Sequence, residues 1–362
     1  MYIPLLKLRE TEKSVVQKMN HCFTDEIIPL FEVFSEVYKH RYKTNPVTGE
    51  YIYQLSNNRR KRIKVEPTDE DIITLEIIDK YMSGRKIFID YFRIDTQKYQ
   101  GFNAEAAELG LRLLDFDYYC YKLQQLSPFD NFIPVVSVRR NFGDSKSNIS
   151  KLVKDLQAKS SSIAFRLTTD LLSNYNNLMT TLRSTDYLLF DIEETDVDSL
   201  FLEIDDLMKL NISAKKIILN SPRKSSIPNK DYEEEGITQL IDNSILEKYR
   251  GLGFDGFGDY AGYKDTLPKG GGNYGSALGL IYDLEINKFW AFTNKDTSLG
   301  IGGYPDVKLR VLHHKPELDP DNTCVAYKYI NEINSGTHKS WIQICMMRYI
   351  DQIYKSTKLE GL

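Results

Sequence analysis

Of the chain's 362 residues only 4 are cysteine, and Cys22, Cys120, Cys324 and Cys345 stand far from one another and from any histidine at zinc-ligand spacing. Neither a disulfide scaffold nor a zinc finger is expected, and the thiols read as reduced and structural. Charge of one sign is missing too: Lys+Arg 47 against Asp+Glu 51 leaves a formal charge of -4, so contact with a polyanion or membrane surface has to be local. No charge-free apolar window of about 18 to 20 residues occurs, and the opening MYIPLLKLRETEK reads as a strand followed by charges rather than a signal peptide, so no membrane partner and a cytoplasmic location are expected. The GxSxG, HExxH, P-loop and Cys/His dyad signatures do not occur, which takes support from nucleophilic hydrolases and P-loop enzymes.

The remaining composition, 41% hydrophobic, 27% charged and 12% aromatic, belongs to a globular chain and excludes a disordered or collagen-like one. Its length allows about two domains or one large barrel. Eight short apolar or β-branched runs, most ending in a polar residue, return along it: Tyr2 to Leu8, Ile27 to Val33, Lys86 to Tyr91, Phe132 to Val138, Ser162 to Leu167, Tyr187 to Ile192, Lys216 to Ser221 and Phe254 to Tyr260. Their spacing averages about 36 residues, enough for a strand, a crossover helix and two loops.

Helices are expected between the runs. Thr68 opens TDEDIITLEIIDKYMSG, with early acids at the positive helix start and Gly84 at its stop; Asn103 opens NAEAAELGLRLLDFDYYCYKL. Others are expected at about 12–22, 145–158, 169–182, 197–210, 232–250 and 338–355. Strictly alternating strands and helices argue for parallel strands, and eight units favour a closed (β/α)8 TIM-like barrel, a single domain over 1–362. An open dinucleotide-binding sheet would want a glycine-rich turn after its first strand, and LKLRETEKS has no glycine.

Two insertions are expected, after strands two and eight. The first, 35–66, reads as a hairpin of EYIYQL and RIKVE around SNNRRK. The second, 261–336, holds GGGNYGSALG, the pair GLIYDLE and KFWAFTN, and GIGGYPDVKLRVL. In a barrel both lie on the carboxyl-end face, where barrel enzymes carry their chemistry.

Residues two apart on a strand share a direction. Leu5/Lys7, Leu30/Glu32, Phe88/Asp90, Val135/Ser137, Ala164/Arg166, Leu189/Asp191, Ile218/Asn220 and Phe257/Asp259 read as eight equivalent pairs, the first member filling the barrel and the second ringing its mouth. Glu32, Asp90 and Asp191 are candidate ligands of Mg²⁺ or Mn²⁺, or alternatively an acid and base, with Asp259 orienting a base or a water. Lys7 and Arg166 would hold an anionic group, and Ser137 and Asn220 would line the substrate side. The same charges also suit a salt-bridge network that closes the barrel top.

The segment Lys264 to Gly275, KDTLPKGGGNYG, could cradle phosphate through backbone amides at Gly271 and Gly272. Between Lys39 and Lys64 eight Lys or Arg residues meet one acid, Glu50, with tyrosines interleaved; Arg59, Arg60, Lys61 and Arg62 make this hairpin a candidate nucleic-acid contact, or simply a solvated one. His313 and His314, expected after a strand, and His338 and Asp306 match no metal-binding spacing.

YIPLLKLRETE, IIPLFEV, IFIDY, IAFRL, YLLFDIEE, and FGDYAGY followed by IYDLEINKFWAFTN together resemble the beta-protein family of phages and bacteria, over nearly the whole chain. The resemblance implies an intracellular protein of prokaryotes or their viruses, sometimes near defence or mobile-element genes, and carries no settled activity. It singles out Lys7, Glu32, Asp90, Arg166, Asp191, Asp259 and, on the substrate side, Tyr260. The basic hairpin looks like an addition, and Met346 and Met347 stand where more polar residues, such as histidines, would be expected. Two functions stay open: a barrel enzyme hydrolysing a phosphate-bearing nucleotide or nucleic acid with metal assistance, and a non-catalytic interaction module of a phage or phage-defence system that uses the hairpin to contact nucleic acid or a protein partner.

Overall fold

The computed structural model describes residues 1–56, 59–269 and 275–360, the last two of these by their backbone. Its strands are β1 (Tyr2–Lys7), β2 (Leu30–Val33), β3 (Tyr53–Ser56), β4 (Arg59–Arg62), β5 (Ile87–Tyr91), β6 (Phe132–Val138), β7 (Ala164–Thr168), β8 (Tyr187–Asp191), β9 (Lys215–Leu219), β10 (Glu235–Thr238), β11 (Gly256–Asp259), β12 (Leu278–Asp283) and β13 (Lys288–Thr293). Eight of them close into a parallel barrel in the order β1-β11-β9-β8-β7-β6-β5-β2, and each comes from one of the eight apolar runs. The protein is a (β/α)8 barrel with surrounding helices.

Parallel strands bury both faces, and the barrel shows two separate apolar layers. Ile3, Leu5, Leu30, Phe88, Val135, Ala164, Leu189, Ile217 and Leu219 fill the interior, while Leu6, Phe31, Ile89, Val136, Phe165, Phe190, Ile218 and Phe257 pack outward against helices. On β11 the inward positions are Gly256 and Gly258. A Cβ on Gly256 would stand within 3 Å of the Met1 carbonyl and Ile217, and one on Gly258 within 3 Å of the Ile3 carbonyl and Leu219, so glycine is what lets β11 and β1 meet and close the barrel.

Helices occupy the connections, shorter than the periodicity suggests. The stretch expected as one helix from Asn103 splits into Glu105–Ala107, Glu108–Arg112 and Phe116–Gln124, because the Asp115 side chain accepts from Tyr118 N and starts a new helix there. The stretch 232–250 is not a helix. It supplies β10, which pairs with β13 in a three-stranded sheet ordered β10-β13-β12, and only Ile245–Lys248 is helical. The strand expected before His313 is instead the helix Tyr304–His313, started by Pro305 in its first turn and burying Tyr304, Val307 and Val311 on one face.

The chain between β2 and β5 forms the antiparallel pair β3–β4, extended by bridges of Tyr42 with Lys64 and of Thr44 with Tyr51. Arg59, Arg60 and Lys61, expected in the turn, form a strand together with Arg62, which was expected to start it. The final helix, His338–Glu360, lies against β12 and the helices Glu10–Lys18 and Val325–Glu332. Covered on several sides, it buries Trp341, Ile344, Met346, Met347, Ile350 and Ile353, which accounts for methionine where polar residues would be expected.

Candidate functional site

Six strand ends bring their polar residue to the barrel mouth. Lys7, Glu32, Asp90, Ser137, Arg166 and Asp191 all point inward above the apolar layer, and all are buried. Arg166 stands at their centre. Its Nη1 donates to Glu32 Oε1 at 2.8 Å and to Asp90 Oδ2 at 2.9 Å, while its Nε and Nη2 both reach Asp191 Oδ2, at 2.9 and 2.7 Å. Lys7 pairs with the other oxygen of Glu32 and, at 2.9 Å, with Asp265. Ser137 donates to Asp90 at 2.7 Å and Tyr260 to Glu32 at 2.8 Å.

An outer tier continues the pairing. Lys98 bridges Asp265 at 2.7 Å and Glu193 at 2.9 Å, Tyr99 donates to Asp265 at 2.7 Å, and Arg139 holds Glu193 and reaches Asp191 at 3.5 Å. Asp265, Lys98, Tyr99, Arg139 and Glu193 were not singled out from the sequence; they lie beyond strand ends, where the two-residue alternation no longer applies. Glu193 adopts a left-handed backbone (φ 55), a conformation non-glycine residues seldom take, and its two cationic partners pin it there.

Burial and pairing pull the acids apart. Burial alone would push the Glu32 and Asp265 carboxyls up, but Lys7 with Arg166 outweighs it at Glu32, and Lys7 with Lys98 outweighs it strongly at Asp265, so both stay ionised below the usual range. Asp90 goes the other way. Burial raises its pKa despite Arg166, and its Oδ1 has no hydrogen-bond partner among the described residues. Asp90 also lines a cavity of about 10 Å³, room for one water, together with Arg93, Ser137, Arg139, Arg166 and Asp191 among others.

Two residues expected in this ring are elsewhere. On β11 the interior side belongs to Gly256, Gly258 and Tyr260, so Asp259 turns outward, where it accepts from Tyr2 at 2.9 Å, Tyr349 at 2.8 Å and the Ala261 amide at 2.8 Å. Burial pushes its carboxyl up to about 6, against these three hydrogen bonds. On β9 Ile217 and Leu219 face inward, which places Asn220 on the opposite phase from the one expected. Gly271 and Gly272 lie outside the described residues. Arg59, Arg60, Lys61 and Arg62 are all exposed on the β3–β4 hairpin.

The mouth does not fit the divalent ion expected from Glu32, Asp90 and Asp191. The Arg166 guanidinium binds all three carboxylates itself, and among the described residues no cluster of three His, Cys, Asp or Glu could hold a metal. The arrangement positions charges and fills the mouth with them; a hard cation would have to displace the arginine first.

Fold and mouth together define a class: a (β/α)8 barrel whose carboxyl end is closed by ion pairs centred on one arginine. Within that class the chain belongs to the beta-protein family, whose model matches residues 2–355. No curated protein matches it. Among the described residues no helix is long and apolar enough to cross a membrane.

Proposed function

We propose that this protein is a binding module whose barrel is a rigid base and whose exposed hairpin contacts a single-stranded nucleic acid. The observation that carries the reading is the hairpin's composition by face. Cross-strand register puts Tyr53 opposite Arg62 and Leu55 opposite Arg60. Arg60 lies 4.1 Å from the Tyr53 ring, and Arg62 lies 4.1 Å from Tyr51 and 5.6 Å from Tyr42. Arginine planes and tyrosine rings thus alternate on one face, while Arg59 and Lys61 fall on the other by alternation.

Arg60 and Arg62 are held by rings rather than by acids, and among the described residues none of Arg59, Arg60, Lys61 and Arg62 makes an ion pair. Four unneutralised cations attract phosphates, and aromatic faces accept unstacked bases, which favours single strands over duplex. The mouth is the counterpart of this surface. Its acids and bases are spent on one another, which supports a scaffold role there rather than turnover.

The test is fluorescence anisotropy with a labelled single-stranded oligonucleotide, titrated at several salt concentrations. Replacing Arg59, Arg60, Lys61 and Arg62 with Ser is expected to abolish binding and to take about 3 from the slope of log affinity on log salt, at roughly 0.7 per phosphate contact. Melting temperature is expected to stay unchanged, because all four side chains are exposed. Unchanged affinity in that variant would sink the reading. Tighter binding of duplex than of single strand would remove the stacking part of it.

A further inference from the structure

Beside the mouth, on the same carboxyl-end face, a cleft of about 560 Å³ opens between the turn after β9, the turn after β11 and the start of the final helix. Arg9, Arg223, Lys264, Lys269, Tyr304 and His338 line it, and among the described residues no carboxylate does. In a chain with a net charge of -4 this is a local reversal of sign.

Arg223 is the unusual member. It is 5% exposed, yet its side-chain partners among the described residues are neutral: Nε donates to Tyr232 at 3.2 Å, Nη2 to Asn229 at 3.2 Å, and the rings of Tyr232 and Tyr263 lie 5.2 and 5.9 Å away. Its Nη1 makes no hydrogen bond among the described residues. A buried guanidinium is ordinarily matched by a carboxylate, as Arg166 is three times over and Arg93 is by Asp144. Among the described residues nothing supplies the counter-charge.

Its neighbours share the condition. Among the described residues Lys264 donates to the carbonyl oxygens of Ile227 and, at 3.4 Å, Ser225, and Lys269, exposed at the rim, has no ion pair. Burial, with Arg223 next and Lys269 adding to it, pushes the Lys264 ammonium down to about 8, although Glu194 and Asp231 offset part of this. Burial, Arg223, Arg9 and Lys264 likewise hold His338 below its usual value, so these cations feel one another across the cleft.

A compact anion of two or more charges would relieve that repulsion and give Arg223 the planar, two-point partner its fork is shaped for. We propose that the cleft binds a phosphate-bearing small molecule, with Arg223 gripping the phosphate, Lys264 and Lys269 completing its neutralisation, and Tyr263 offering its ring to the rest of the ligand. The volume suits a mononucleotide-sized molecule rather than a polymer. The site goes beyond the hairpin reading and does not depend on it.

Calorimetric titration of the full chain with inorganic phosphate, AMP and adenosine at matched ionic strength tests the assignment. Phosphate and AMP are expected to bind, AMP the more tightly, and adenosine not to. Arg223→Gln is expected to weaken AMP at least tenfold while the circular dichroism spectrum is kept. Lys264→Gln, whose side chain is less buried, is expected to weaken it several-fold and answers the question should Arg223→Gln fail to fold. The hairpin serine variant is expected to bind AMP like the parent, whatever it does to oligonucleotides. Absence of phosphate and AMP binding at millimolar concentration, equal binding of adenosine, or full affinity in a folded Arg223→Gln or Lys264→Gln protein would overturn the proposal.

Discussion

Asp191 and Asp259 end neighbouring-looking strands with the same side chain, yet they belong to opposite kinds of polar interior. Asp191 faces inward, meets two nitrogens of Arg166, and lives in a cluster made of full charges. Asp259 faces outward into a cluster of hydroxyls and amides: Tyr2, Tyr349, Asn243, Tyr282 and Asn287. Tyr349 has one proton and two acceptors within reach, Asp259 at 2.8 Å and Asn243 at 2.9 Å. A neutral Asp259 resolves that conflict by donating to Tyr349, which then donates to Asn243. One cluster works by ion pairing and the other by proton placement, and a single step of strand phase decides which an aspartate joins.

Three substitutions test this contrast. Arg166→Ala should have the largest effect, leaving Glu32, Asp90 and Asp191 buried without their shared cation; removal of one partner from a buried pair costs about 3–5 kcal/mol, read by urea unfolding near neutral pH. A loss below about 1 kcal/mol would mean the charges at the mouth do not hold the fold. Asp259→Asn should be smaller and pH-dependent. The Asp259 pKa is raised in the folded state to about 6, so its stabilising contribution is complete below the ordinary carboxylate value and fades as pH rises through about 6. The asparagine variant should therefore gain on the parent between pH 4.5 and pH 7, by about 2 kcal/mol; a parent-to-variant difference that stays flat with pH would erase the distinction between the clusters. Ser137→Ala, which removes one hydrogen bond to Asp90, should cost about 1 kcal/mol by the same unfolding measurement.

The contrast also explains how far the sequence could be read. Alternation was informative on β5 and β8, where IFIDY and YLLFDI put an acid on one clear phase, and Asp90 and Asp191 fall where expected. On β9 both phases of KIILNS are apolar, so nothing in the run separates Ile217 from Ile218. On β11 the bulky residues Phe257 and Asp259 suggested an interior that belongs in fact to two glycines, because the space inside is already filled from β1 and β9. Tyr260 entered through family resemblance and does reach Glu32. Arg223 carried no pattern at all: it lies in a loop, and its isolation from acids emerges only once the chain is folded.

Tyr2 on β1 and Asp259 at the end of β11 are 257 positions apart, and β1 lies between β11 and β2 in the closed sheet. During synthesis at about 5–20 residues per second, one edge of β1 therefore waits on the order of tens of seconds for its neighbour. Long-range parallel pairing of this kind slows folding and leaves an open edge available to other chains in the meantime. Production at low temperature, or with chaperones that shield nascent strands, should accordingly raise the yield of correctly closed barrels more than any adjustment made after the ribosome has finished.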